Sequence, residues 1–203
     1  MPADEQELRI DLGEARNQGP RPTCLSFSLS EIHRSAISLG ELLSPESLHR
    51  RATQRARKPA EVGLTILEAT ESLAQDGQTT ETAWPYNVDA PVQHACVYYQ
   101  SNAVALSFSA KTVFDALKDG RPIILVIDVD IPFFSCNGVT PLVPLNGSQI
   151  QGRHAVVICG FRTSAGKAEY LIKNSWGGAW GEHGHAWLTT EYVLGRTPQL
   201  IRI

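Results

Sequence analysis

At 203 residues, 42% of them hydrophobic and 19% charged, the chain can bury roughly 70% of its unfolded surface as one domain or a two-lobed one, without disulfide or metal staples. A formal charge of -3 gives no electrostatic footprint for nucleic acid or an anionic membrane, so neither is expected as a partner. The start, Met1 to Glu7, is acidic and lacks the basic and apolar stretches of a secretory leader, and no apolar run approaches a membrane span. The expectation is a cytoplasmic protein whose four cysteines (24, 96, 136 and 159) stay as thiols, with neither C-x-x-C nor Cys/His zinc spacing among them. Cys96 and Cys136 would be the pair to bridge were the chain exported.

After a short polar arm, Asn17 to Thr23 reads as a Gly/Pro-rich loop, with Thr23 as N-cap of a helix beginning near Cys24. Leu25, Leu29, Ile32, Ala36 and Leu39 form one apolar stripe that should end where Gly40 supplies a left-handed C-cap. Ser44-Pro45 opens a second helix running to about Arg57. Thr65-x-x-Glu68 is a capping box opening a third, ended by Gly77, and Pro85 marks an extended turn at Ala83 to Tyr86. Ser109 to Asp119 should be a short helix stopped by Gly120. From Pro122 the pattern turns to strands at Ile123 to Ile127, Ala155 to Phe161, Tyr170 to Lys173 and Ala186 to Thr189. The order predicts an α+β chain: a helical part over about residues 12–108, a sheet part over about 109–203, and a cleft between them.

Four residues stand out chemically. Cys24 at a helix start would meet unpaired N–H groups and the positive end of the helix dipole, which favours the thiolate. Gln18, six residues earlier, is near enough for its amide and the Cys24 backbone N–H to face one oxyanion. His154 leads into an apolar strand and Asn174 follows another, so the pair can supply an acid/base and the group that orients it. Trp176 would shield their hydrogen bond from water and is expected among the substrate-binding residues. Together they spell acyl transfer through a thioester, with Cys24 attacking and His154 holding its proton as imidazolium and returning it to the leaving amine.

At these positions the chain resembles the papain-like cysteine peptidases of family C1. The resemblance covers Asn17-Gln18-Gly19 with Cys24, Trp84-Pro85-Tyr86, His154-Ala155-Val156-Val157 with Gly160, and Lys173-Asn174-Ser175-Trp176-Gly177 with Trp180-Gly181-Glu182. It implies a single domain made of a helical L lobe and a β-barrel-like R lobe with the active-site cleft between them, no cofactor, and a peptide or protein as substrate. It also implies that Gly63, in Val62-Gly63, offers its backbone to substrate. Pro22-Thr23-Cys24-Leu25 stands where familiar members have Gly-Ser-Cys-Trp, and Arg21 replaces a cysteine that usually forms a structural disulfide. Gln18 lies too near Met1 for a long inhibitory propeptide, so restraint is expected from a protein regulator, substrate choice or compartment. Isopeptidase, amidase or transpeptidase action, and a non-cleaving peptide binder, remain the other readings of the same residues.

Other features have plainer readings. The basic run from His49 to Lys58 is expected to be a solvated helix face. His183-Gly184-His185 reads as a surface turn, not a metal site. Asp128 and Asp130 alternate with apolar residues and are expected on the solvent face of a strand, while Trp180, Trp187 and Cys159 are expected in the core or cleft wall.

Overall fold

The computed structural model describes residues 7–203; the acidic start read from Met1 to Glu7 lies outside it but for Glu7. The elements are β1 (Glu7–Arg9), α1 (Cys24–Ala36), α2 (Pro45–Arg55), α3 (Ile66–Gln75), β2 (Val104–Ser107), α4 (Ala110–Lys118), β3 (Ile123–Asp130), α5 (Ile131–Phe134), β4 (Ile150–Ser164), β5 (Lys167–Lys173), β6 (His185–Thr189), α6 (Thr190–Leu194) and β7 (Gln199–Arg202). Two compact units result, described here one at a time: a helical unit of residues 18–105 with 202–203, and a sheet unit of residues up to 17 with 106–201.

In the helical unit, α1 starts at Cys24 as its loop signals require, but it ends at Ala36. The left-handed residue is Ser38, not Gly40, and the amides of Ile37, Ser38 and Leu39 close on the carbonyls of His33, Ser35 and Arg34. Every residue from Leu25 to His33 is buried, so the apolar stripe describes only part of the packing. Polar groups in this interior pair with one another: Gln78 Nε2 meets His33 Nδ1 at 2.8 Å, and Ser30 Oγ donates to Gln78 Oε1 at 2.7 Å. Ser44 caps α2 by accepting from Ser47 N, and the helix stops at Arg55 because Arg57 turns left-handed. The capping box on α3 is present in both directions, Glu68 N to Thr65 Oγ1 and Thr65 N to Glu68 Oε2. Gly77 ends it at φ +70°, where a Cβ would sit 2.5 Å from the Tyr99 carbonyl.

The basic run is less solvated than its sequence suggests. His49 is fully buried, and the cations pair within the unit: Arg50 with Glu46 and Asp89, Arg55 with Asp76, Lys58 with Glu68.

The sheet unit is built on the order β2-β7-β3-β4-β5-β6, with β1 added to β4. The path has two free ends and does not close, so the β-barrel-like expectation gives way to an open antiparallel sheet. The run Ile123 to Ile127 is wholly buried, as are Ala155 to Phe161, which is why these segments read as continuous apolar stretches. Pairing carries β4 well beyond its apolar stretch, to Ile150 against β3 and to Ser164 against β5. Val113 and Leu117 of α4, Trp180, Leu188 and Tyr192 complete the core.

Asp130 contradicts its solvent-face reading. Its carboxylate is fully buried, accepts from Tyr192 Oη at 2.7 Å and pairs with Arg196, because the strand ends there and α5 turns inward. Asp128 is half-buried and paired with Arg153 at 3.0 Å. Trp180, Trp187 and Cys159 are core residues, His183 is exposed in a turn, and all four cysteines are free thiols. Among the described residues no helix is long and apolar enough to cross a membrane.

Candidate active site

In the helical unit, Gln18 and Cys24 bracket a loop stiffened by Pro20 and Pro22, whose nitrogens carry no hydrogen. The Arg21 carbonyl is its hub, accepting from Gln18 Nε2 at 2.7 Å and from the Thr23 amide at 2.8 Å. Tyr86 Oη donates to the Gln18 carbonyl at 2.8 Å and lies 2.7 Å from Thr23 Oγ1. Its one hydrogen being used, the threonine hydroxyl must donate to it. Thr23, at the N-cap of α1, makes no side-chain cap bond, its backbone at φ -107° and ψ 13° lying outside the extended conformation that an N-cap usually adopts. Gln18 is buried and Cys24 half-buried at the first helical position. Gly63 is exposed beside this loop, where a Cβ would lie 3.5 Å from Pro22.

In the sheet unit, His154 sits within β4 opposite Ile127 of β3, not at a strand start. Asn174 follows β5 directly, its amide held by the Gly184 carbonyl at 2.9 Å. Asn174 Oδ1 accepts from His154 Nε2 at 2.7 Å and from the Ser175 amide at 2.8 Å. An acceptor there puts a hydrogen on Nε2 and leaves Nδ1 as the nitrogen able to take a proton.

The ring is enclosed by aromatics. Trp176 lies 4.6 Å away, tilted by 32°, and Phe133 stands edge-on at 6.0 Å. Phe134 stacks on the outer side of Trp176 at 4.9 Å. Trp180 Nε1 donates to the Phe133 carbonyl at 3.0 Å, fixing α5 in place. Gly177, at φ +76°, turns the chain after Trp176, and its amide reaches the Arg16 carbonyl. Burial lowers the His154 pKa to about 4, against the raising effect of the Asn174 bond. Within its own unit the imidazole is therefore neutral at pH 7.

The sequence singles out Gln18, Cys24, Gly63, His154, Asn174 and Trp176 as candidates and gives no sign of Phe133 and Phe134. They lie in a single helical turn after Pro132, too short for any periodic signal. In the sequence Arg21 stands out only as a departure from pattern, and nothing marks Glu46 as its partner among the other helix charges. Among the described residues no group of His, Cys, Asp and Glu is arranged to hold a metal ion.

The family model described as papain family cysteine protease matches residues 4–195. A cathepsin L-like proteinase of Fasciola hepatica is 31% identical over 126 residues, covering 58% of this chain and 37% of that protein. Mouse (Mus musculus) cathepsin K is 26% identical over 188 residues, covering 85% and 55%. The chain thus spans about half or less of the length of these relatives. Among solved structures, xylellain, a cysteine protease from Xylella fastidiosa, superposes with a TM-score of 0.76 at 19% identity, covering 96% of this chain and 85% of that one; at that identity the likeness speaks for the fold. With its family signature running over nearly the whole length, the chain belongs to the papain family of cysteine proteases.

Proposed function

We propose that the protein hydrolyses peptide bonds through an acyl-thioester on Cys24, with His154 as acid/base and Asn174 as the group that orients it. The observation that carries this reading is the buried His154 Nε2 to Asn174 Oδ1 bond of 2.7 Å, roofed by Trp176. A histidine held in one tautomer with Nδ1 left to accept is the arrangement an acid/base on a thiol requires.

The Cys24 sulfur attacks the scissile carbonyl carbon, and the oxyanion that forms takes hydrogen bonds from Gln18 Nε2 and the Cys24 amide. As the C–N bond breaks, His154 gives its proton to the departing amine. Water, losing a proton to His154, then attacks the thioester; the acid leaves and the thiol is restored. A neutral, desolvated imidazole accepts the thiol proton readily only when the thiolate stays beside it, so His154 carries charge as half of an ion pair. Gly63, exposed beside Pro22, presents backbone to the bound peptide.

A fluorogenic peptide-library screen on the purified protein tests this. Turnover is expected near neutral pH, with labelling of Cys24 by a thiol-directed epoxide and loss of all turnover in Cys24→Ala. Gln18→Ala should retain residual activity, reduced about 10²- to 10³-fold in kcat by loss of one oxyanion donor. A protein that ignores both the epoxide and every peptide would contradict the proposal.

A further inference from the structure

Arg21 sits between Gln18 and Cys24, and its side chain goes to a place unlike the rest of the loop. Its guanidinium forks onto Glu46, Nη1 to Oε2 at 2.5 Å and Nη2 to Oε1 at 3.1 Å. Glu46 is fully buried in the first turn of α2 and has its remaining acceptor capacity filled by Arg50 Nε and the Asn87 amide. Asn87, left-handed at φ +64°, also accepts from Arg21 Nη1 at 3.0 Å. The guanidinium lies over the Tyr86 ring at 5.0 Å. Two parallel bonds to a carboxylate fix direction as well as distance.

The opposite end of the same residue is the carbonyl that receives Gln18 Nε2 and the Thr23 amide. Because a carboxamide is planar, the bond to Arg21 uses one Nε2 hydrogen and sets the direction of the other. We infer that Arg21, clamped by the Glu46 carboxylate, is a positioning residue that aims the Gln18 amide at the oxyanion formed on Cys24. The inference rests on the thioester reading for its catalytic consequence. The clamp itself stands on geometry within one unit. Tyr86 bonds both the Gln18 carbonyl and Thr23, so the clamp is bound to the loop at two further points.

A double-mutant cycle separates aiming from general support. Arg21→Met should lower kcat tenfold or more with KM changed less than twofold, and should change kcat less than twofold when added to Gln18→Ala. Arg21→Lys, keeping the charge but not the fork, should fall between. Equal losses in both backgrounds, or no loss in either, would overturn the inference. Should Arg21→Met not fold, Glu46→Gln enters the same cycle with the same expectation.

Hydrogen exchange supplies an activity-free readout. In Arg21→Met the amides of residues 18–24 should exchange about tenfold faster while those of α3 are unchanged. Unaltered exchange at 18–24 would overturn the clamp even in an active enzyme. Faster exchange in Arg21→Met, together with a wild-type chain that cleaves nothing, would uphold the clamp and sink the peptidase reading instead.

Discussion

The pair of His154 and Asn174 shows how one side chain sets the chemistry of another. The ring is buried among Phe133, Trp176 and its strand neighbours, with Asn174 Oδ1 accepting at Nε2. Asn174→Ala would leave that N–H buried without its acceptor and release the ring to turn. Losing such a buried bond costs about 1–3 kcal/mol, so steady-state assays should find kcat down about 10- to 100-fold with KM little altered. An unchanged kcat would mean that the aromatic enclosure alone orients the imidazole. These residues were legible in the sequence because each follows or sits in an apolar run, and because Asn174, Trp176 and Gly177 stand together. Phe133, edge-on to the His154 ring, and Phe134, stacked on Trp176, were not legible, since a four-residue turn carries no periodic signal.

At the scale of elements, the polar interior of the helices makes a prediction about acid. Burial lowers the pKa of His33 on α1 to about 4, opposed by a bond to the Gln100 backbone, and lowers that of His49 on α2. Between the ordinary value of 6.5 and the lowered one, the unfolded chain binds protons that the folded chain does not, so stability falls as pH drops through that window. Glu46 adds a second window. Burial acts to raise its pKa, but the bonds from Arg21, Arg50 and the Asn87 amide outweigh it and hold the carboxyl below its ordinary 4.5. Its contribution is present above that value and is lost as pH falls further. Melting followed by helix signal at pH 7, 5.5 and 4.5 should show a continuous fall that is shallower in His33→Gln; a curve flat to pH 4.5, or one unaffected by that substitution, would contradict the assignment. Element starts were the most legible feature here: Ser44, Thr65 and Ser109 each cap the helix they announce. Ends were less so, because Ser38 adopts the left-handed conformation expected of Gly40, Arg57 turns left-handed just past the end of α2, and the edges of β4 are fixed by pairing to β3 and β5, not by their own polar residues.

For the whole molecule, the sequence reads as a helical first half and a sheet second half, whereas the two compact units are not separated by a single cut along the chain. The arm up to Asn17 belongs with the sheet, where β1 pairs with β4, Lys173 Nζ donates to the Leu12 carbonyl at 2.8 Å, and Asn17 bridges to Trp176. Such long-range pairings leave no local periodicity to read. The proposed mechanism requires Cys24 and His154, which lie on different units, to behave as one titrating system. The most direct measurement is the pH dependence of Cys24 alkylation by iodoacetamide, followed by mass spectrometry in the wild type and in His154→Ala. The thioester mechanism predicts that wild-type Cys24 reacts well below pH 7, with an apparent pKa at least about 2 units under that of the variant. Identical profiles rising only near the free-thiol value of about 8.5 would show that sulfur and imidazole never act together.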